Sequence, residues 1–167
     1  MMAESFKERF NRKYKERMER TRREFAQRNR LFDDYRTKVA ELFSAIKEKV
    51  AGTPIVVEKE PITIERRISI FESAPEQFEV LTLKLQEHEI RFVPEGLNYR
   101  TGAASIRIEH NNPREQPQTL YLHLRVVRKN EADKDGELAW MIKIGYRNFS
   151  VFSEELLERL LEGIFLS

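Results

Sequence analysis

The sequence predicts an α+β protein: a long basic N-terminal helix, an antiparallel β-sheet of about six or seven strands, and a C-terminal helix packed on the sheet. Three observations predict it. No glycine or proline precedes Gly52, so residues 4–51 hold no backbone breaker and are rich in strong helix formers. Residues 55–146 then fall into short runs in which apolar and polar side chains alternate. Residues 153–165 return to helical spacing.

The first helix has two characters. Met18, Phe25, Phe32, Val39 and Ile46 recur every seven residues, and Tyr35, Leu42, Phe43 and Val50 widen that stripe over the second half. This is the broad apolar face of a helix laid on a core. Phe6, Phe10 and Tyr14 continue it thinly at spacing four, with charge on all other sides. A continuous helix of this length spans ~70 Å at ~1.5 Å per residue, whereas a body of roughly 115 residues is only ~35 Å across. The helix therefore projects, or it breaks and folds back, with Asn29 and Asp33-Asp34 as the best break. The absence of a turn-forming residue favours projection or intermolecular pairing. The expected organisation is an arm at 1–52, its outer half 1–31 projecting and its inner half 32–51 packed, on a body at 53–167.

Gly52-Thr53-Pro54 ends the helix. Ile55-Val56-Val57 reads as a short strand, and Ile62, Ile64, Ile68 and Ile70 share one parity, interrupted by Arg66. Strands follow over 78–85 and at Ile90 and Phe92, before a turn at Pro94-Glu95-Gly96. Ile106 and Ile108, then Leu120, Leu122, Leu124 and Val126, then Leu138, Trp140, Ile142, Ile144 and Tyr146 recur at alternate positions, and polar loops separate these runs, as in a meander with one buried face. Ser153 is the expected N-cap of the last helix, and Phe152 with Leu157 its hydrophobic staple.

Composition narrows the chemistry. With no cysteine there is no disulfide framework, thiolate metal site or cysteine nucleophile. The N-terminus carries charge at once and lacks an apolar leader, and no apolar run reaches ~18 residues, so cytoplasm is the expected compartment and no transmembrane segment is expected. Phosphate-loop, dinucleotide, nucleophile-elbow and zinc-protease motifs are absent. His88, His110 and His123 match no metal-ligand spacing, although His110 and His123 meet if they face each other across a hairpin. Neither a metal nor a cofactor is expected, no catalytic residue is assigned, and the chain is read as a non-enzyme.

The charge is uneven: residues 1–52 carry 15 Lys/Arg and 9 Asp/Glu, a net of +6, and residues 53–167 carry 15 and 19, a net of −4. Three candidate sites follow. A partner-binding seam runs along Phe6, Phe10, Tyr14, Met18 and Phe25. A phosphate-binding face holds Arg9, Arg12, Lys13, Arg20 and Arg23, since cationic side chains neutralise phosphates without reading sequence. An anion site on the polar sheet face holds Arg107, His123, Arg125 and Lys143, provided their strands are neighbours. Against the phosphate reading, Glu8–Arg12, Glu16–Arg20, Glu19–Arg23 and Glu24–Arg28 are spaced to pair along the helix, as an isolated solvated arm requires. The expected function is interaction or assembly, the long charged helix binding itself or a protein partner. The alternatives are nucleic-acid binding through residues 7–30 and a small ligand-binding or enzymatic module on the sheet face.

Overall fold

In the computed structural model, which describes residues 3–144 and 148–167, helix α1 runs unbroken from Phe6 to Val50. Its 45 residues span ~66 Å at ~1.5 Å per residue. Ser5 opens it with a capping box: its hydroxyl accepts from the Glu8 N–H and its own N–H donates to the Glu8 carboxylate. Beyond Ala51, Gly52 takes φ +80°, which only glycine adopts at little cost.

Seven strands follow: β1 (Val56–Arg67), β2 (Ser73–Leu85), β3 (His88–Leu97), β4 (Ala104–His110), β5 (Thr119–Val127), β6 (Glu137–Ile144) and β7 (Asn148–Val151). They form one antiparallel sheet in chain order, each strand bonded to the next. Helix α2 (Glu154–Leu166) closes the chain, its N-cap Ser153 accepting from the Leu156 N–H. The fold is α+β, with both helices on one face of the sheet. The core joins Phe32, Tyr35, Val39, Phe43 and Ile46 of α1 and Leu157, Leu161 and Ile164 of α2 to Ile106, Ile108, Leu122 and Trp140 of the sheet. The heptad positions from Phe32 to Ile46 are all buried, because each successive turn brings the same helix face onto the strands.

Helix α1 does not break at Asn29–Asp34, in keeping with the projection that the absence of a turn-forming residue favours, while two other local expectations are corrected. The Asn29–Asp34 segment is gripped from outside. Arg66 of β1 donates to Asn29 Oδ1 at 3.0 Å, to the Asn29 carbonyl at 3.1 Å and to Asp33 Oδ1 at 2.8 Å, with its guanidinium 4.9 Å from the Phe32 ring centre. Ile68 and Ile70 are not strand residues but lie in the turn between β1 and β2, where Ser69 and Ile68 N–H groups donate to the Glu72 carbonyl. Pro94-Glu95-Gly96 is not a chain reversal: β3 continues through it, with a bulge between Pro94 and Gly96 against β4.

Tyr35 explains why the bulge sits there. Its buried hydroxyl donates to the Ser105 carbonyl at 2.7 Å and accepts from the Gly96 N–H at 3.0 Å, so one α1 side chain satisfies two strand groups that the irregular register leaves available. Burial pushes this phenol well above its ordinary range. Gly96 takes φ +81°, and a Cβ there would meet Ile64 Cγ2 at 2.6 Å. Gly145, Tyr146 and Arg147, which the sequence reading places in or beside a strand, lie outside the described residues.

Candidate functional site

Residues 4–20 are exposed without exception. Partial burial begins at Thr21, and the first wholly buried residue is Phe32. Phe25 stacks on Tyr99 at 6.3 Å between ring centres, and Arg28 donates to the Tyr99 carbonyl. The outer helix therefore leaves the body near Phe25, not at residue 31. Within it Phe6, Phe10, Tyr14 and Met18 are 71%, 58%, 56% and 38% exposed. The Phe6 and Phe10 rings touch at 5.8 Å. Four large apolar side chains along one side of a solvated helix depart from ordinary surface composition.

Of the five expected seam residues, then, Phe6, Phe10, Tyr14 and Met18 are open to a partner and Phe25 is held by the body. Met18 and Phe25 also line a groove with Ala26, Ile68, Ile70 and Phe71, where the β1–β2 turn approaches the helix. Phe71, at the tip of that turn, is 93% exposed.

The cations flank this seam. The expected Glu-first pairs do not form among the described residues. Arg12 instead reaches back to Glu4 through two contacts of 3.0 Å and forward to Glu16 at 3.5 Å, while Glu8 caps the helix and Arg28 turns to Tyr99. The Arg12 guanidinium holds the Glu4 carboxyl below the usual carboxylate range. Arg12 is thereby paired within the arm, through exposed ion pairs. Arg9 lies 6.0 Å from the Phe6 ring centre. Among the described residues Arg9, Lys13, Arg17, Arg20 and Arg23 have no carboxylate oxygen within 4.0 Å.

The sheet face opposite the helices does bring neighbouring strands together. Arg107 faces Tyr121 across β4 and β5, and His123 faces Ser105 on one side and Met141 on the other. Arg107, however, is bound to Glu95 at 3.0 Å and also to Glu109, and Arg91 reaches Glu109 from β3 at 3.6 Å. That half of the face is a neutral ladder, and Arg107 leaves the anion set. The other half is different. Arg125 lies over the Phe149 ring at 4.3 Å and the His123 ring meets Phe149 edge-on at 5.5 Å. They line a shallow hollow of about 380 Å³ with Thr101, Gly102 and Ala103. Lys143 faces Phe149 across β6 and β7. Burial, then the Arg125 and Lys143 charges, lower the His123 pKa, so the imidazole resists protonation there.

The other histidine of interest is structural. His110 lies one residue past Glu109, so its side chain takes the helix side of the sheet, opposite His123. Its Nδ1 accepts from the Asn112 N–H at 3.2 Å and its Nε2 is 3.0 Å from the Pro117 carbonyl, so both ring nitrogens are engaged by the 110–117 loop. The two histidines do not meet across the hairpin. Asn112, almost fully buried, ties this loop to α2 through the Ile164 carbonyl at 2.8 Å. No group of three potential metal ligands occurs among the described residues.

Sequence reasoning missed one further surface. Where the C-terminal ends of α1 and α2 meet the β2–β3 end of the sheet, a mainly apolar hollow of about 380 Å³ opens between Val50, Ile55, Leu85, Leu161, Phe165 and Leu166. Leu166 is 74% exposed. The only signal in the sequence is the breadth of the apolar stripe on α2, which exceeds what the sheet covers. Among the described residues no helix is long and apolar enough to cross a membrane. Against protein-family models, curated proteins and solved structures, the chain has no match.

Proposed function

We propose that this chain is an interaction protein whose projecting outer helix is the binding element and whose sheet body is its rigid base. The observation that supports this reading is the unburied run Phe6, Phe10, Tyr14, Met18. A helix that stood alone only as a spacer gains nothing from aromatic side chains in water, whereas a helix that docks uses one apolar face as anchors at i and i+4. The bound state recovers the burial that the free state forgoes, roughly 1.5–3 kcal/mol for each large side chain fully covered.

The test is the mass of the full-length protein by light scattering at low salt, beside the variant F10E/M18E. The expected result is an associated wild type and a monomeric variant with an unchanged melting temperature. An oligomer that survives both substitutions would sink the reading.

A second reading is favoured by one specific observation, the cations Arg9, Lys13, Arg17 and Arg20 that run along one flank with no carboxylate oxygen within 4.0 Å among the described residues. In this reading the arm contacts a nucleic-acid backbone, with the aromatic seam beside it as a stacking surface. It predicts co-purified material absorbing at 260 nm that is shed as salt rises, which protein self-association does not.

A further inference from the structure

We propose that the arm of one molecule docks head to tail in the apolar hollow of a second copy. This rests on the reading of the arm as the binding element, and it names what the arm binds.

The arm cannot cover its own seam. Phe10 and Val50 lie on one unbroken helix, forty residues or ~60 Å apart at ~1.5 Å per residue. Pairing of arm with arm is opposed by charge. Residues 6–20 carry seven Lys/Arg and three Glu, a net of +4, and two such helices side by side repel. The arm's complement is apolar at its centre and acidic at its rim.

The far pole of this same molecule has that character. The hollow at the ends of α1 and α2 has an apolar floor formed by Val50, Leu161 and Phe165, with Leu166 exposed at its edge. Helix α2 carries four glutamates against one arginine, a net of −3. Lys49, the one cation in the lining, is already tied to Glu154 at 2.7 Å and to Glu158. Glu158 and Glu162 line the hollow, and Glu162 has no ion pair among the described residues. An aromatic, basic helix and an apolar, acid-rimmed hollow of the size that takes organic side chains match in both polarity and sign. The two halves of the contact sit at opposite ends of the molecule, so it is heterologous and each docked copy presents a fresh arm and a fresh hollow.

Sedimentation velocity on the full chain at low salt tests this with two variants altered only at exposed residues: F10E/Y14E in the arm and E162K/L166E at the hollow. Circular dichroism and melting temperature verify that both remain folded. The wild type is expected to grow with concentration, and each variant alone to be monomeric. An equimolar mixture of the two variants is expected to form a complex of twice the monomer mass and no larger, because one competent arm and one competent hollow remain. If E162K/L166E assembles like the wild type while F10E/Y14E does not, the hollow is refuted and the arm's role is retained. If neither variant changes the mass of an assembling wild type, both fail. A wild type that stays monomeric at every concentration overturns the second copy as partner, and the salt-dependent absorbance at 260 nm then tests the arm against nucleic acid.

Discussion

Two side chains show how much of this molecule is decided by single contacts. Tyr35 ties α1 to both sides of the β3 bulge, donating to Ser105 O and accepting from Gly96 N. Tyr35→Phe keeps the ring in place and removes the hydroxyl partner of the buried Gly96 N–H and of the partly buried Ser105 carbonyl. The expected loss is about 1–3 kcal/mol of unfolding free energy, read from denaturant midpoints at constant m-value. A loss below a few tenths would mean that the bulge is satisfied in another way. His123 makes a pH prediction with a definite sign. Its folded pKa lies below the ordinary value, so the unfolded chain takes up the proton first as pH falls. Stability therefore decreases through the window from about pH 6.5 downward. In H123Q that part of the acid loss is expected to disappear, flattening the stability profile below about pH 6.5. An identical slope in the variant would remove His123 as the cause.

Residue roles were also the least legible level of the sequence. Arg66 appears there only as an interruption of apolar alternation, because a charged residue in a strand carries no sign of what it reaches. In the structure it is the clasp between β1 and α1. Pro94-Glu95-Gly96 has the residues of a turn, and the same chemistry serves a bulge when strand pairing continues on both sides. The ion pairs of the arm were misassigned for a related reason. Spacing of four permits a Glu–Arg contact, yet Arg12 has Glu4 within reach across two turns and Glu8 is engaged at the cap.

At the scale of elements the sequence was far more informative. Alternation over Ile106 to Ile108 and Leu120 to Leu124 marks strands that bury one face, residues 138–142 add the same parity of large side chains at Leu138, Trp140 and Ile142, and these strands pair in chain order. Helix α1 was legible because nothing between Ser5 and Ala51 can stop it cheaply. Its two halves separate by the width of the apolar stripe, which reports how much of the helix circumference is covered. Ile68 and Ile70 misled because they keep strand parity while sitting in a turn, exposed at the edge of the groove beside Met18. The element-level prediction concerns the arm. Residues 4–16 are exposed and their side-chain hydrogen bonds stay within the arm. Deleting residues 1–16 is expected to change unfolding free energy by no more than about 0.5 kcal/mol, while lowering helical ellipticity in proportion to the residues lost. A markedly destabilised body would show that the arm supports the fold and does not merely extend from it.

At the scale of the whole molecule the governing feature is polarity. One end presents an aromatic, basic helix, and the other an apolar hollow beside an acidic helix. The charge asymmetry between residues 1–52 and 53–167 was visible in the sequence. The hollow was not, because it arises where the ends of α1, α2 and β2 converge from distant parts of the chain. Under the proposed function, residues 6–20 are solvated in the single molecule and covered when it binds. Amide hydrogen exchange of the full-length protein at two concentrations, dilute and a hundredfold higher, measures this directly. The arm is expected to exchange rapidly when dilute and to gain protection at the higher concentration, F10E/M18E to abolish the gain, and the sheet core to be unaffected throughout. Arm exchange that is equally fast at both concentrations would contradict the proposed function.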